Sequence, residues 1–166
     1  EHIKNLKKMF SNVTSNEIDL TNTFETFKKS VPVVEENDVV LLTRANTRAR
    51  LRMTTLYYFA GLNNYLVAGT GNKVEDFGVG FFTKYGDGGV DISPIADLLK
   101  SEVYKIAKVL NVPESIIKAK PTDGLFGDSR TDEDQIGASY DELEWAMLEV
   151  EKGKSSTTFT GRQKEV

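Results

Sequence analysis

Cysteine is absent from the 166-residue sequence, and histidine occurs once, as His2. The absence of cysteine excludes disulfides, thiolate metal ligands and cysteine nucleophiles. With a single histidine at the start of the chain, a histidine-based catalytic triad is not expected. Chemistry must therefore depend on carboxylates, lysine, arginine, hydroxyls, backbone groups and a hard metal ion. A cysteine-free chain also suits the cytoplasm, which is the location that we expect.

Long apolar runs and an excess of positive charge are missing as well. No apolar run approaches the ~18 residues that a membrane span needs, so we expect no membrane partner. The net charge is −4, which argues against nucleic acid as a partner. Hydrophobic residues make up 39% and charged residues 28%, which is typical of a globular domain with a real core.

The spacing of apolar residues predicts several helices and two short strands. Helical periodicity predicts helices at 1–10, 22–31, 38–63, 97–110, 131–136 and 140–151, the last one with a capping box of Ser139 and Glu142. Short apolar segments predict strands at 17–20 and 65–68. A helix followed by a buried strand is half of a βαβ unit. We therefore expect an α/β fold with three layers, in which helices flank a mostly parallel sheet.

The chain is expected to form one domain at 1–153, followed by a polar and flexible tail at 154–166. It begins with Glu1 instead of methionine, in what reads as the middle of a helix. We therefore expect an N-terminal portion of the domain to be missing.

A basic run lies within the predicted helix at 38–63. Helical spacing places Arg44, Arg48 and Arg52 on one face, whereas Arg50 projects elsewhere. Such a run is either a solvated basic face or a phosphate-binding surface, because guanidinium groups match phosphate oxygens.

Residues 69–91 contain seven glycines and are predicted to be a long loop. The loop follows a predicted parallel strand, and open α/β sheets bind ligands at that end of their strands. Thr70 could contact a nucleotide and Glu75 could hold Mg²⁺, although a plain turn with a surface glutamate is an equally simple interpretation. The segment Phe81–Asp91 combines aromatic, cationic and acidic residues with glycines, which favours ligand binding over a simple hairpin.

Three later segments are weaker candidates. Lys100 lies near a predicted helix start, where a cation could bind an anion or simply face solvent. The stretch Lys120–Leu125 is an irregular loop with a hydroxyl and a carboxylate. The acidic stretch Asp128–Asp134 is most simply a solvated turn.

The order of the motifs is more specific than any one of them. They are Ala-Arg-x-Arg-Met at 49–53, Gly-Thr-x₄-Glu at 69–75, Gly-Phe-Phe-Thr-Lys-Tyr-Gly-Asp-Gly-Gly-x-Asp at 80–91, x-Leu-x-Lys at 97–100, Pro-Thr-x-x-Leu at 121–125, Asp-Glu-x-x-Ile-Gly at 132–137 and Ser-Tyr-Asp at 139–141. Over residues 40–153 this series resembles the ammonia-dependent NAD synthetases, which belong to the ATP pyrophosphatase superfamily. The resemblance implies an adenine-nucleotide alpha-hydrolase-like fold.

The resemblance also implies an activity. Family members join ammonia to deamido-NAD through an acyl-adenylate, with ATP as co-substrate and Mg²⁺ as cofactor, and release AMP and pyrophosphate. They are homodimers, and the long helix at 38–63 is our candidate for the interface.

Site residues follow from the matching motifs. The resemblance implies that Thr70, Lys100 and Thr122 contact ATP and that Glu75 binds Mg²⁺. It implies that Arg50, Lys84 and Asp91 contact deamido-NAD. No residue is identified as catalytic.

The sequence also departs from the family. The Ser-Gly-Gly-x-Asp-Ser loop that grips pyrophosphate is absent, and so is the His-Lys pair of the C-terminal end. The stretch from Glu75 to Phe81 is about one residue longer than usual, and Asp123-Gly124 replaces Ala-Asp. We therefore expect the 166-residue chain alone to have little or no synthetase activity.

Three further hypotheses stay open. The chain could belong to another ATP-pyrophosphatase ligase, although the Phe81–Asp91 segment argues against this. It could be an inactive piece that only binds a dinucleotide or dimerises. An RNA site on the basic run is disfavoured by the acidic net charge.

Overall fold

The computed structural model describes residues 2–32 and 34–166, which are built from helices joined by irregular segments. In chain order the elements are α1 (His2–Met9), α2 (Thr21–Ser30), α3 (Asp38–Asn63), a π helix (Lys73–Val79), α4 (Lys100–Val109), α5 (Glu114–Ile117), α6 (Asp132–Ile136), α7 (Tyr140–Glu151), a 3₁₀ turn (Ser156–Thr158) and α8 (Arg162–Glu165). The helix predicted at 1–10 is confirmed for its described part, and Glu1 lies outside the described residues.

The long helix α3 is confirmed with the predicted ends. The Asn37 side chain caps its start by accepting a hydrogen bond from the Val40 N–H at 3.0 Å. Asn64 ends it in the left-handed conformation, with φ 55°. Ala45 and Ala49 are buried on one side, and their small side chains let Leu125 pack directly against the helix.

The predicted strands are not formed as such. Residues 17–20 form no strand, so that prediction is wrong, because an extended segment becomes a strand only where a partner pairs with it. At 65–68 the structure has a single parallel bridge, between Ala68 and Ile92. In the described residues no sheet is present, and this bridge is the only pairing of the kind that the predicted parallel sheet would contain.

Most of the loop prediction for 69–91 holds, but seven of its residues form the π helix Lys73–Val79. Asn72 begins this helix from a buried position, where its side-chain oxygen accepts hydrogen bonds from the N–H groups of Val74 and Glu75. Gly80 ends it in the left-handed conformation, with φ 67°. Single-turn π helices are rare and often lie at functional sites.

The later helices largely follow the sequence pattern. The helix predicted from 97 begins only at Lys100, because the Glu102 carboxylate caps the Leu99 N–H at 2.8 Å. The capping box of Ser139 and Glu142 begins α7 as predicted, and Gly153 follows that helix with φ 77°. The sequence pattern does not predict the short helix α5.

The chain buries little of its surface on itself. It exposes 12013 Å², whereas a compact protein of 18.5 kDa exposes about 8,200 Å². In the described residues two buried clusters are present, and both are small: one joins Val74 to Ala138, Tyr140 and Leu143, and the other holds Leu125 against α3. Many large apolar side chains therefore remain exposed. In the part of the chain that the structure describes, no helix has the length and hydropathy needed to cross a membrane.

The tail at 154–166 packs on α7. Arg162 binds the Glu142 carboxylate with an Nε–O distance of 2.7 Å, and it also donates to the Gly137 carbonyl. The Phe159 ring meets the Trp145 ring edge-on, with centroids 5.1 Å apart. These contacts fix a position for the tail, while its flexibility stays a prediction.

Acid should release this tail. The hydrogen bond from Arg162 lowers the pKa of Glu142 from 4.5 to about 2. A depressed folded pKa stabilises the contact above pH 4.5, and this contribution is lost as the pH falls from 4.5 towards 2. Fluorescence of Trp145, the only tryptophan, should report the loss of Phe159 in this window. In Arg162→Gln the step should be absent, and an identical step in that variant would contradict the account.

Candidate functional site

A cleft of about 760 Å³ opens beside α3. Its walls are one face of α3, the Gly69-Thr70 turn, the segment from Phe81 to Val90 and the loop around Leu125. It is large enough for a nucleotide-sized ligand, since small-molecule sites measure roughly 300–1,000 Å³. Three of the predicted site residues line it, namely Thr70, Glu75 and Thr122.

Glu75 is the centre of a group of four side chains, which we call the Glu75 cluster: Glu75, Lys100, Asp132 and Tyr140. The Lys100 ammonium lies 2.8 Å from Glu75 Oε1, and the Tyr140 hydroxyl donates to the same oxygen at 2.6 Å. Lys100 also lies over the Tyr140 ring, 4.6 Å from its centroid. The cluster thereby joins the π helix to α4 and α7.

The two donors keep Glu75 ionised. Burial by itself raises the pKa of Glu75, but the hydrogen bonds from Lys100 and Tyr140 outweigh burial and lower that pKa below its usual value. Burial and the neighbouring Glu75 charge raise the pKa of Tyr140, so its phenol keeps the proton that it donates. A charged carboxylate at the edge of a cleft suits a hard cation.

Asp132 is the residue of the cluster that sequence reasoning missed. The interpretation of 128–134 as a solvated turn is wrong for Asp132, because its side chain is only 8% exposed. Its Oδ2 accepts from Tyr140 at 3.3 Å, whereas its buried Oδ1 has no hydrogen-bond partner. Burial first, and then the charge of Glu75, raise the pKa of Asp132. The signal available in the sequence was its position directly after the Thr131 N-cap, because a residue there is the first residue of a helix and not part of a solvated turn.

The residues predicted for ATP and for deamido-NAD separate into two places. Lys100 joins the cleft group through Glu75, and Thr122 donates to the Arg130 carbonyl at 3.1 Å. Arg50 and Lys84 meet outside the cleft, where Arg50 Nε donates to the Lys84 carbonyl at 3.1 Å.

Asp91 also lies outside the cleft lining, beside the C-terminal half of α3. It accepts from the Tyr57 hydroxyl at 3.0 Å and from the Val67 N–H at 2.8 Å. The side chains of Arg50 and Asp91 therefore both form hydrogen bonds within the protein. Lys84 is exposed, with its ammonium 5.1 Å from the centroid of the Tyr85 ring.

The arginine face of α3 holds the loop that closes the cleft. Arg48 donates to the Leu125 carbonyl at 2.8 Å and stacks on the Phe24 ring, and Arg52 donates to the Asp123 carbonyl at 3.2 Å. Arg44 pairs with Glu36. Arg48 and Arg52 therefore support the loop around Leu125, and Arg52 also lines the cleft.

The side chains fit a magnesium ion that arrives with a nucleotide. In residues 2–32 and 34–166 no group of three His, Cys, Asp or Glu side chains could hold a metal alone. Mg²⁺, however, usually takes one or two carboxylates and completes its shell with phosphate oxygens and water. Glu75 and Asp132 supply two carboxylates that share the Tyr140 hydroxyl, and Asp132 Oδ1 is free to accept.

Removing the Asn72 side chain should destabilise the π helix that carries Glu75. Asn72 is 2% exposed and satisfies two N–H groups at the start of the π helix. Asn72→Ala leaves both donors unpaired, so urea unfolding should show a loss of about 2 kcal/mol or more. The matched variant Asn37→Ala removes the exposed cap of α3 and should cost only about 1 kcal/mol. Equal losses in both variants would contradict the structural role of Asn72.

Comparison with known proteins gives consistent matches. The family model for NAD synthase matches residues 1–166. An NH(3)-dependent NAD(+) synthetase from Mycoplasma genitalium is 47% identical over 139 residues, which are 84% of this chain and 54% of that protein. One from Thermoplasma volcanium is 43% identical over 138 residues, which are 82% of this chain and 54% of that protein. The chain thus spans about half the length of these curated relatives.

Solved structures agree with the sequence matches. The NMN synthetase of Francisella tularensis superposes with a TM-score of 0.78 at 32% identity, over 97% of this chain and 61% of that one. The NH3-dependent NAD synthetase of Campylobacter jejuni superposes with a TM-score of 0.60 at 30% identity, over 89% of this chain and 56% of that one. Because the family model covers the whole chain, this protein belongs to the NAD synthase family.

Proposed function

We propose that this chain provides part of the active site of a cytoplasmic enzyme that amidates deamido-NAD with ammonia and consumes ATP. The observation that carries the proposal is the Glu75 cluster, in which an ionised carboxylate and a lysine meet beside a nucleotide-sized cleft. Relatives at 43% and 47% identity are named NH(3)-dependent NAD(+) synthetases, which supports the same reaction.

The ATP side of the site is proposed to be the cleft. Thr70 and Thr122 offer hydroxyls to the nucleotide, and Lys100 brings positive charge towards its phosphates. Glu75 would hold Mg²⁺, with Asp132 as the neighbouring carboxylate. When bound, the ion neutralises phosphate charge and so favours attack on the α-phosphate by the substrate carboxylate.

The deamido-NAD side is proposed to lie outside the cleft. Arg50 and Lys84 are two cationic residues joined by the hydrogen bond from Arg50 Nε to the Lys84 carbonyl, and two cations suit the pyrophosphate of a dinucleotide. Asp91 is held by Tyr57 and the Val67 N–H, so it is oriented before any ligand arrives. The chemistry needs both substrates aligned, since a carboxylate becomes a good acyl donor only after adenylation.

Two further features belong to the proposal. A three-layer fold, in which helices flank a mostly parallel sheet, is expected in the whole protein, and the superposition on the Francisella tularensis enzyme supports it.

A homodimer through α3 is supported by exposed apolar side chains at and just after its C-terminal end, where Tyr58, Leu62 and Leu66 are 63%, 65% and 67% exposed.

Nicotinate mononucleotide is the second candidate substrate. The Francisella tularensis protein with a TM-score of 0.78 is an NMN synthetase. Amidation of this mononucleotide would need the same cleft for ATP, and the substrate would occupy only part of the deamido-NAD side. The curated relatives favour deamido-NAD, and competition between the two substrates separates the candidates.

The whole protein should form NAD from deamido-NAD, ATP, Mg²⁺ and ammonia, with one AMP released for each NAD. Glu75→Gln should reduce kcat/KM roughly 100-fold and raise the Mg²⁺ concentration for half-activity, because it removes a charged ligand. Glu165→Gln, on the exposed tail, serves as the matched control. No AMP-coupled amidation by the whole protein would sink the proposal, and preference for the mononucleotide would select the second candidate.

The 166-residue chain alone should show little or no turnover in the same assay. It has no Ser-Gly-Gly-x-Asp-Ser segment, so nothing in it would grip the pyrophosphate. Robust turnover by this chain would refute that expectation.

The dimer has its own test. Light scattering should give about twice 18.5 kDa for the 166-residue chain. Leu62→Glu should convert it to a monomer by placing a charge in an apolar contact, whereas Val109→Glu, on an exposed face of α4, should not. A monomer before mutation would count against α3 as the interface.

A further inference from the structure

One face of α7 runs along every element that carries the Glu75 cluster. The side chains at Tyr140, Glu144, Met147 and Glu151 are spaced by four, three and four residues, so they form one stripe of the helix. We call these four residues the α7 stripe.

The first two members of the α7 stripe contact Glu75 and the start of α4. Tyr140 donates its hydroxyl to Glu75 at 2.6 Å. One turn later, Glu144 accepts from the Ser101 N–H at 2.7 Å and from the Ser101 hydroxyl at 2.8 Å. Ser101 directly follows Lys100 at the start of α4, so Glu144 fixes the backbone from which Lys100 reaches Glu75.

The last two members of the α7 stripe hold the π helix. A Cβ on Gly78 would lie 2.6 Å from the Met147 sulfur, so Met147 packs directly on the backbone there. Glu151 pairs with Lys73, the first residue of the π helix, at 2.5 Å. Both ends of the π helix are therefore held against α7, and Glu75 lies between them.

Glu144 is not a solvated surface glutamate. Its two carboxylate oxygens both accept from one residue of a different helix, 43 positions away in the chain, and its side chain is half-buried. A solvated surface glutamate would not order both oxygens in this way. Glu102 accepts from the Leu99 N–H, so Glu144 satisfies a different donor at the start of α4 and ties that start to α7.

We infer that Tyr140 and Glu144 are positioning residues, which set the distance between Glu75 and Lys100 and so prepare the site for a metal–nucleotide complex. Neither contacts the proposed ligands as a catalytic group. The inference rests on the proposed roles of Glu75 and Lys100, and it assigns a function to the tyrosine of the Ser-Tyr-Asp motif and to Glu144 in the helix that follows it.

The first test is a double-mutant cycle on nucleotide affinity. Tyr140→Phe keeps the ring and removes only the hydroxyl, and it should weaken binding of MnATP to the whole protein roughly tenfold, as is usual for a partner of a metal ligand. Because Tyr140 acts through Glu75, the same substitution should cost nothing further in a Glu75→Gln background. Manganese paramagnetic resonance with calorimetry measures both steps.

Controls separate positioning from general loss of packing. Tyr104→Phe on α4 removes a phenol hydroxyl outside the cluster, and Asp141→Asn changes an exposed carboxylate next to Tyr140. Both should bind MnATP like the unmodified protein. An equal loss for Tyr140→Phe in both Glu75 backgrounds would show a merely structural role, and no loss in either would also overturn the inference.

The second test needs no ligand. Glu144→Gln should speed hydrogen exchange at the Ser101 amide at least tenfold, since it loses a charge-assisted acceptor, and Glu144→Asp should restore part of the protection. Asp141→Asn should leave that amide unchanged. If the unmodified whole protein binds no MnATP, the proposed function fails, and exchange still decides the positioning claim. Equal exchange in Glu144→Gln and in the unmodified protein would contradict the positioning claim.

Discussion

The carboxylate of Glu75 is the point on which the structure depends. Ionised and mostly buried, it persists there only because Lys100 and Tyr140 donate to it. Those donors begin α4 and α7, so the contacts that satisfy one buried charge also set how three helical elements pack. Removing either donor would leave the buried charge with one partner fewer, which is costly. The packing of this region and the chemistry of the proposed site therefore have the same origin.

The rest of the chain shows how little of its surface this packing covers. An exposed area of 12013 Å² and small buried clusters mean that the helices do not form a complete core on their own. The single parallel bridge between Ala68 and Ile92 marks where a sheet would begin. Superposition on larger family members is consistent with this, because the chain spans 61% and 56% of those two structures.

Sequence predicts local features of this chain well and distant contacts poorly. Helix α3 and the cap of α7 are predictable because periodicity and capping residues are local signals. The strand prediction at 17–20 fails because a strand depends on its partner. The π helix is not predicted because it lies within the glycine-rich stretch 69–91, whose composition indicates a loop. The resemblance names both Glu75 and Lys100, but it does not reveal their pairing across 25 residues or the burial of Asp132. Those features exist only once α6 and α7 are in place.

The most direct test of the central claim is a crystal structure of the whole protein grown with MnATP. Anomalous scattering identifies the manganese without assuming its position. The account predicts a manganese peak at roughly 2.0–2.3 Å from a Glu75 carboxylate oxygen, with nucleotide phosphates on its cleft side. Nucleotide bound in the cleft with its metal away from Glu75, or bound elsewhere on the chain, would contradict it.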